Sequence, residues 1–188
     1  KTFNTQSNSV NKISSNIVQD IVQDKNNTLW IGTYGGGLNQ LDLSTLSFSQ
    51  FNSDGNNSVE EENVQLFRTI IDNNDNLWVG SINGVTSYQT MERDKQGVLT
   101  DKLILSAKSL LPDNTKVWDI YQDRSGKIWL ATLGDGLYIY NPDDQSIKHL
   151  KKSGQGTSLI HNHVRTVMED HQGNMWFGTD DGVSVYHP

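Results

Sequence analysis

The 188-residue chain has no cysteine, three prolines and a net charge of −7 at neutral pH. Without cysteine there is no disulfide framework, no thiolate nucleophile and no cysteine-ligated zinc. An excess of 22 acidic over 15 basic side chains suits a phosphate backbone poorly, so we expect no nucleic-acid partner. No apolar run approaches the roughly 18 residues that span a membrane, so any signal or anchor is expected outside this chain.

The main feature that is present is a fourfold repeat centred on tryptophan. In each copy an aspartate precedes the tryptophan by six residues, and successive tryptophans are 48, 51 and 47 residues apart. The pairs are Asp24 and Trp30, Asp72 and Trp78, Asp123 and Trp129, and Asp170 and Trp176. This period is typical of propeller blades. Segments such as Thr28-Leu-Trp-Ile-Gly-Thr33 are short, aromatic and β-branched, which favours strands over helices.

We therefore predict an all-β fold, a β-propeller with four four-stranded antiparallel blades. The chain forms a single domain over 1–188, with repeats near 16–61, 62–113, 114–160 and 161–188. The last repeat has no fourth strand of its own, and residues 1–6 offer one because Lys1-Thr-Phe-Asn-Thr5 resembles Ser47-Phe-Ser-Gln-Phe51. Two interpretations stay open: the N-terminal segment closes a ring of four blades, or the chain is a fragment of a larger propeller.

The repeated order of aspartate, tryptophan, an aliphatic or aromatic residue, Gly or Ala, Thr or Ser, and then Gly-Leu or Gly-Val after a short turn resembles the two-component regulator propeller repeat. The resemblance covers nearly the whole chain. It implies the periplasmic sensor region of a hybrid histidine kinase that detects glycan fragments, although some members of the family carry a diguanylate cyclase. It also implies more than four blades in the usual sensor, and a chain that binds without catalysis or a cofactor.

Candidate ligand-binding residues lie where the repeats differ. If the strands of each blade run from the centre outward, the strand before each aspartate lines a central channel, and the turn after each tryptophan strand opens at its mouth. Five residues before the aspartate lie Gln19, Phe67, Trp118 and Arg165; seven residues before it lie Gln65, Lys116 and His163; the turns add Tyr34, Asn83, Asp135, Asp180 and Asp181. Aromatic faces mixed with amide and charged groups suit an oligosaccharide. Trp118 is the tryptophan expected to contact a ligand, whereas the four repeated tryptophans are expected to fill space between blades.

Other functions remain as alternatives. His161 and His163 could present two imidazoles, but no third histidine or cysteine lies nearby in sequence, so we expect no metal site. No paired acid and base stand out, so we assign no catalytic residue. A propeller enzyme similar to streptogramin lyases or glycosidases is one alternative. The other is a scaffold whose faces bind protein, either further blades or a second protomer.

Overall fold

The computed structural model describes residues 2–6, 11–51, 64–90, 104–108, 110–154 and 158–187. These residues form fifteen strands and no helix, so the all-β prediction is confirmed. The strands are β1 (Val18–Gln23), β2 (Thr28–Thr33), β3 (Gly37–Asp42), β4 (Ser47–Phe51), β5 (Leu66–Ile71), β6 (Asn76–Ser81), β7 (Gly84–Gln89), β8 (Ile104–Lys108), β9 (Val117–Gln122), β10 (Ile128–Thr132), β11 (Leu137–Asn141), β12 (Ser146–Leu150), β13 (Val164–Glu169), β14 (Met175–Thr179) and β15 (Gly182–Tyr186). Among these residues there is accordingly no helix long and apolar enough to cross a membrane.

Four antiparallel sheets follow one another along the chain, and each sheet is a blade. The first three contain β1–β4, β5–β8 and β9–β12, and the last contains β13–β15. The first strand of each blade packs against the first strand of the next: β1 against β5, β5 against β9, and β9 against β13. This arrangement places β1, β5, β9 and β13 around the centre. The repeat boundary predicted at 61–62 lies outside the described residues.

The repeated aspartate closes the first hairpin of each blade and also holds the tryptophan. Asp72 Oδ1 accepts backbone N–H groups of Asn74 at 2.9 Å and Asn76 at 2.8 Å, which fixes the turn. Asp72 Oδ2 accepts the indole N–H of Trp78 at 2.8 Å. The same indole bond is 2.7 to 2.9 Å long in the other three repeats. The sequence indicated the turn but not the bond to the indole.

Three of the four repeated tryptophans pack against the following blade. Trp78 lies 5.6 Å from the Tyr140 ring in the third blade, and Trp129 lies 5.6 Å from Phe177 and 5.7 Å from Tyr186 in the fourth. Trp30 belongs to a buried cluster that includes Leu77 of the second blade. Apolar burial between neighbouring blades thus holds the series of sheets together.

Both end blades have exposed apolar faces in the described part of the chain. Trp176 is 40% exposed, whereas Trp30, Trp78 and Trp129 are 2–3% exposed. At the other end Val18 is 42% exposed, whereas its counterparts Leu66, Val117 and Val164 are at most 4% exposed. The difference follows from position, because among the described residues no sheet packs on the tryptophan face of the fourth blade or beside Val18 of the first.

The N-terminal segment lies against the first blade. Phe3 contacts Phe48 edge to face, with the ring centroids 5.2 Å apart, and Ile13 is buried in a cluster with Ile31 and Leu41. Residues 2–6 form no strand, and the last sheet has three strands in the described residues. The suggestion that residues 1–6 supply the outer strand of the last blade therefore differs from this structure, in which the packing of Phe3 on Phe48 holds the segment at the first blade.

Candidate functional site

A β-bulge in the first strand of each blade produces the most distinctive row of side chains. The pairing register shifts between Val18 and Asp20 in β1, and equivalent shifts occur in β5, β9 and β13. The unpaired extra residues are Gln19, Phe67, Trp118 and Arg165. A bulge re-aims the side chain of its extra residue. These four residues are the candidate positions that lie five residues before each repeated aspartate, and in each blade the bulge determines where the side chain points. We call the four residues the bulge row.

Three members of the bulge row contact one another. The Phe67 and Trp118 rings stack at 4.6 Å with an interplanar angle of 30°. The Arg165 guanidinium carbon lies 5.3 Å from the Trp118 ring centroid. Trp118 thus lies between a ring from the second blade and a cation from the fourth. Because protein groups already contact the Trp118 ring, contact with a ligand would be limited to the edges of this stack and to the exposed Arg165.

Arg165 is held by an ion pair with Asp180 from the turn between β14 and β15. Arg165 Nε donates to Asp180 Oδ1 at 2.6 Å, and the second carboxylate oxygen lies 2.9 Å from His163 Nδ1. The hydrogen bond from Arg165, and then that from His163, lower the pKa of Asp180 to about 2. Since the Arg165 side chain is 46% exposed, the pair contributes little to folding and mainly fixes the position of the guanidinium.

A chain of charged side chains lies next to the bulge row and was not apparent from the sequence. Asp20 Oδ2 accepts the backbone N–H of Thr69 at 2.7 Å, and Asp119 Oδ2 accepts that of Val167 at 2.9 Å, so each carboxylate joins its blade to the next. Arg68 lies between them, 3.5 Å from Asp20 and 3.0 Å from Asp119. The available signal was an Asp-Ile pair at the same position in the first and third repeats, four residues before the repeated aspartate.

Three of the other predicted residues form isolated antiparallel bridges between neighbouring blades. Tyr34 pairs with Gln65 across the first and second blades, and His163 pairs with Leu133 across the third and fourth. Gln19 of the bulge row is exposed, as are Lys116 and Asp181, and Asn83 borders a cavity of 370 Å³ formed with Leu111, Pro112, Asp113 and Asn114.

Asp135 belongs to a separate cluster on the outer part of the third blade. It accepts a short hydrogen bond from the Tyr138 hydroxyl and lies 2.5 Å from Lys151 Nζ, while the His149 ring stacks on Tyr138 at 3.8 Å. Burial raises the pKa of Asp135, but the hydrogen bonds from Lys151 and Tyr138 outweigh it and leave the pKa below its ordinary value. The Asp135 carboxylate is thus bound by side chains of the third blade.

A second concavity of 530 Å³ lies between the third and fourth blades, at the end of the strands opposite to Asp180. Trp129, Met175 and Tyr186 contribute apolar surface, and Arg124 and Lys148 contribute positive charge. The Arg124 backbone N–H donates to Glu169 Oε2 at 2.9 Å across the two blades. No motif in the sequence pointed to this groove, because its lining comes from residues 123–186 brought together only by blade packing.

The repeated hairpin is similar to a repeat described in known proteins. The family model described as two-component regulator propeller matches residues 12–35, 110–134 and 158–181, which contain Trp30, Trp129 and Trp176. The predicted resemblance to this repeat family is confirmed in these three segments. The second repeat, around Trp78, shows the same spacing and the same bond to aspartate.

The chain is also similar to parts of longer proteins. It is 28% identical over 184 residues to histidine kinase P4 of Formosa agariphila, covering 97% of this chain and 13% of that protein. It resembles the extracellular domain assigned to a hybrid two-component system of B. thetaiotaomicron, with a TM-score of 0.75, 22% identity, and coverage of 99% of this chain and 23% of that one. For a virginiamycin B lyase of Staphylococcus aureus the TM-score is 0.55, with 13% identity and coverage of 91% and 55%. At such identities the two solved structures establish the β-propeller fold alone.

Proposed function

We propose that this chain is the extracytoplasmic, periplasmic ligand-sensing module of a bacterial signal-transduction protein, a hybrid two-component sensor. The observation that carries the proposal is the repeated aspartate–tryptophan hairpin, which the regulator propeller family model matches in three places. The similarity to a histidine kinase over 97% of this chain supports it. Because the chain spans 13% of that kinase, the signalling output would be carried by other parts of the protein.

The ligand that best suits the bulge row is an oligosaccharide. The edges of the Phe67–Trp118 stack offer an apolar patch, and Arg165 offers guanidinium donors in a fixed orientation. Exposed Gln19 and Lys116 add further polar groups. Sugars combine apolar ring faces with hydroxyls that need paired donors and acceptors, which is the combination that these residues present.

Signal transmission would come from the position of the row across several blades. Phe67, Trp118 and Arg165 belong to three consecutive blades, so a ligand that contacts all three binds best at one relative inclination of those blades. A ligand shifts a conformational equilibrium only by its difference in affinity for the two states. Binding across blades supplies such a difference, which requires no catalytic step in this chain.

We further propose that propeller blades of the same repeat type cover the exposed apolar faces in the intact protein. Met168, Trp176, Val183 and Val185 lie on one face of the last sheet and are all at least 40% exposed. The equivalent face of each of the first three blades is covered by the following blade. The exposed face of the fourth blade has the same position in its sheet as the three faces that are covered by a blade. Another blade therefore fits this face better than an unrelated protein or a second copy of this chain.

The test of the proposed function is calorimetric titration of the purified chain with a broad panel of oligosaccharides. We expect saturable binding of at least one member, lost in Arg165→Ala and retained in Arg124→Ala, an exposed arginine at the opposite end of the blades. Absence of binding across the panel, or turnover of a glycoside or lactone by the wild-type chain, contradicts the proposal. Turnover would support the alternative of a propeller enzyme.

A further inference from the structure

Three metal-ligating side chains meet beside the bulge row. His161, His163 and Asp180 each direct one ligand atom into the same space, and these atoms lie within 4.8 Å of one another. The sequence showed only the two histidines, because Asp180 is distant along the chain. It is the turn between β14 and β15 that brings the carboxylate back to the start of β13.

Backbone contacts hold the three ligands in place. His163 forms an antiparallel bridge with Leu133 of the third blade, and its carbonyl accepts the Asp180 N–H at 3.2 Å. His161 Nδ1 accepts the backbone N–H of His163 at 3.0 Å, and a neutral imidazole has a single free lone pair, so a metal ion on the His161 ring would replace this hydrogen bond. The two imidazole rings stand edge to face with centroids 5.0 Å apart, so they do not stack and close off the space between them.

We propose that His161, His163 and Asp180 bind a divalent transition-metal ion, with Zn²⁺ the best match. Two imidazoles and one carboxylate are the protein ligands of open, four-coordinate zinc sites, in which water takes the remaining position. Imidazole nitrogen favours Zn²⁺ over Ca²⁺ and Mg²⁺, which prefer oxygen ligands. Ligand atoms of a tetrahedral zinc ion with bonds of about 2.1 Å lie about 3.4 Å apart. The 2.9 Å hydrogen bond between His163 Nδ1 and Asp180 Oδ2 must therefore open by about 0.5 Å, and a pair at the 4.8 Å limit must close by about 1.4 Å.

The metal ion would compete with Arg165 for Asp180. Arg165 contacts both carboxylate oxygens, at 2.6 and 3.2 Å, so a cation on the same carboxylate repels the guanidinium and takes one of its acceptors. The freed guanidinium stays beside Trp118, where its donors become available to a ligand. The metal site stands independently of the proposed function, since it needs no second ligand.

The test is calorimetric titration of ZnCl₂ alone into the tag-free chain in a non-chelating buffer. We expect one site, with affinity reduced by about 10-fold or more in His161→Ala, His163→Ala and Asp180→Asn. His149→Ala and His171→Ala, which alter exposed histidines outside the cluster, serve as matched controls and should bind as the wild type does. Circular dichroism establishes that each variant keeps its strand content, and MgCl₂ and CaCl₂ should give no saturable heat.

A fourth variant distinguishes this site from incidental zinc binding. Arg165→Ala removes the competing cation and should bind Zn²⁺ more tightly than the wild type. Absence of binding, undiminished binding in folded His161→Ala, or loss of binding in His149→Ala overturns the site. Equal or weaker Zn²⁺ binding in Arg165→Ala would contradict the proposed competition between Arg165 and the metal ion for Asp180.

Discussion

Trp176 Nε1 donates a hydrogen bond to Asp170 Oδ2 at 2.8 Å, and 40% of Trp176 is nevertheless exposed. Trp78 makes the equivalent bond to Asp72 at the same 2.8 Å distance and is 3% exposed. The local hairpin is thus the same in the two repeats, and the following blade makes the difference. The hydrogen bond to the indole forms within each repeat, whereas burial of the tryptophan requires contact with the following repeat.

The first prediction concerns this pair of tryptophans. Trp78→Ala should lower the free energy of unfolding by about 3–5 kcal/mol, because it removes a buried aromatic side chain and leaves a cavity. Trp176→Ala should lower it by less than half as much, since little buried surface is lost. Urea denaturation of the two variants and the wild type measures both changes. Equal losses would mean that the face carrying Trp176 is covered in solution.

The second prediction concerns the aspartate of the hairpin. Asp72→Ala leaves the buried indole N–H of Trp78 and two turn N–H groups without their acceptor, so it should lower the free energy of unfolding by about 2–4 kcal/mol. Asp143→Ala, at an exposed turn of the third blade, should leave stability unchanged. Denaturant titration compares the two. A loss in Asp72→Ala no larger than in Asp143→Ala would refute the role given to the carboxylate.

The third prediction concerns the carboxylate that joins the third and fourth blades. Asp119→Ala should expose the Val167 amide to faster hydrogen exchange and lower the free energy of unfolding by about 1–3 kcal/mol, because the amide loses its acceptor. Gln19→Ala, on an exposed bulge residue, is the control. Amide exchange followed by NMR reports the effect at Val167 directly. Unchanged protection there would show that the hydrogen bond does not hold the blades together.

The fourth prediction concerns acid titration at the mouth of the channel. The pKa of Asp180 is lowered to about 2, chiefly by the Arg165 hydrogen bond and then by His163. Because the folded pKa lies below the unfolded value of about 3.9, the contribution of this carboxylate is present above pH 4 and is lost as the pH falls through 2. NMR titration should show the Asp180 pKa rising in Arg165→Ala. An unchanged value would assign the shift to another cause.

The repeat itself could be predicted from sequence because it rests on local information. The spacing of Asp72 and Trp78, the turn residues between them and the β-branched composition around them are all contained in one hairpin. The resemblance to the regulator propeller repeat comes from the same segment, since the match that includes Trp129 ends at residue 134, before the outer strand of its blade.

The site could be predicted only in part. Trp118 stood out because it lies outside the repeated position, but its stacking between Phe67 and Arg165 depends on blades whose bulges align in space. A bulge is a property of strand pairing, and its register cannot be inferred from one strand alone. Asp180 likewise joins His161 through a hairpin turn. The side chains of this site are distant in sequence and meet through tertiary packing. Neither composition nor residue spacing predicts these contacts.

The measurement that tests the central claim most directly is chemical-shift mapping of the isotope-labelled chain with a saccharide identified by calorimetry. We expect chemical-shift changes concentrated at Phe67, Trp118 and Arg165, where the bulges of three consecutive blades form one row. Shifts confined to the opposite groove, at Lys127 and Tyr186, would contradict it.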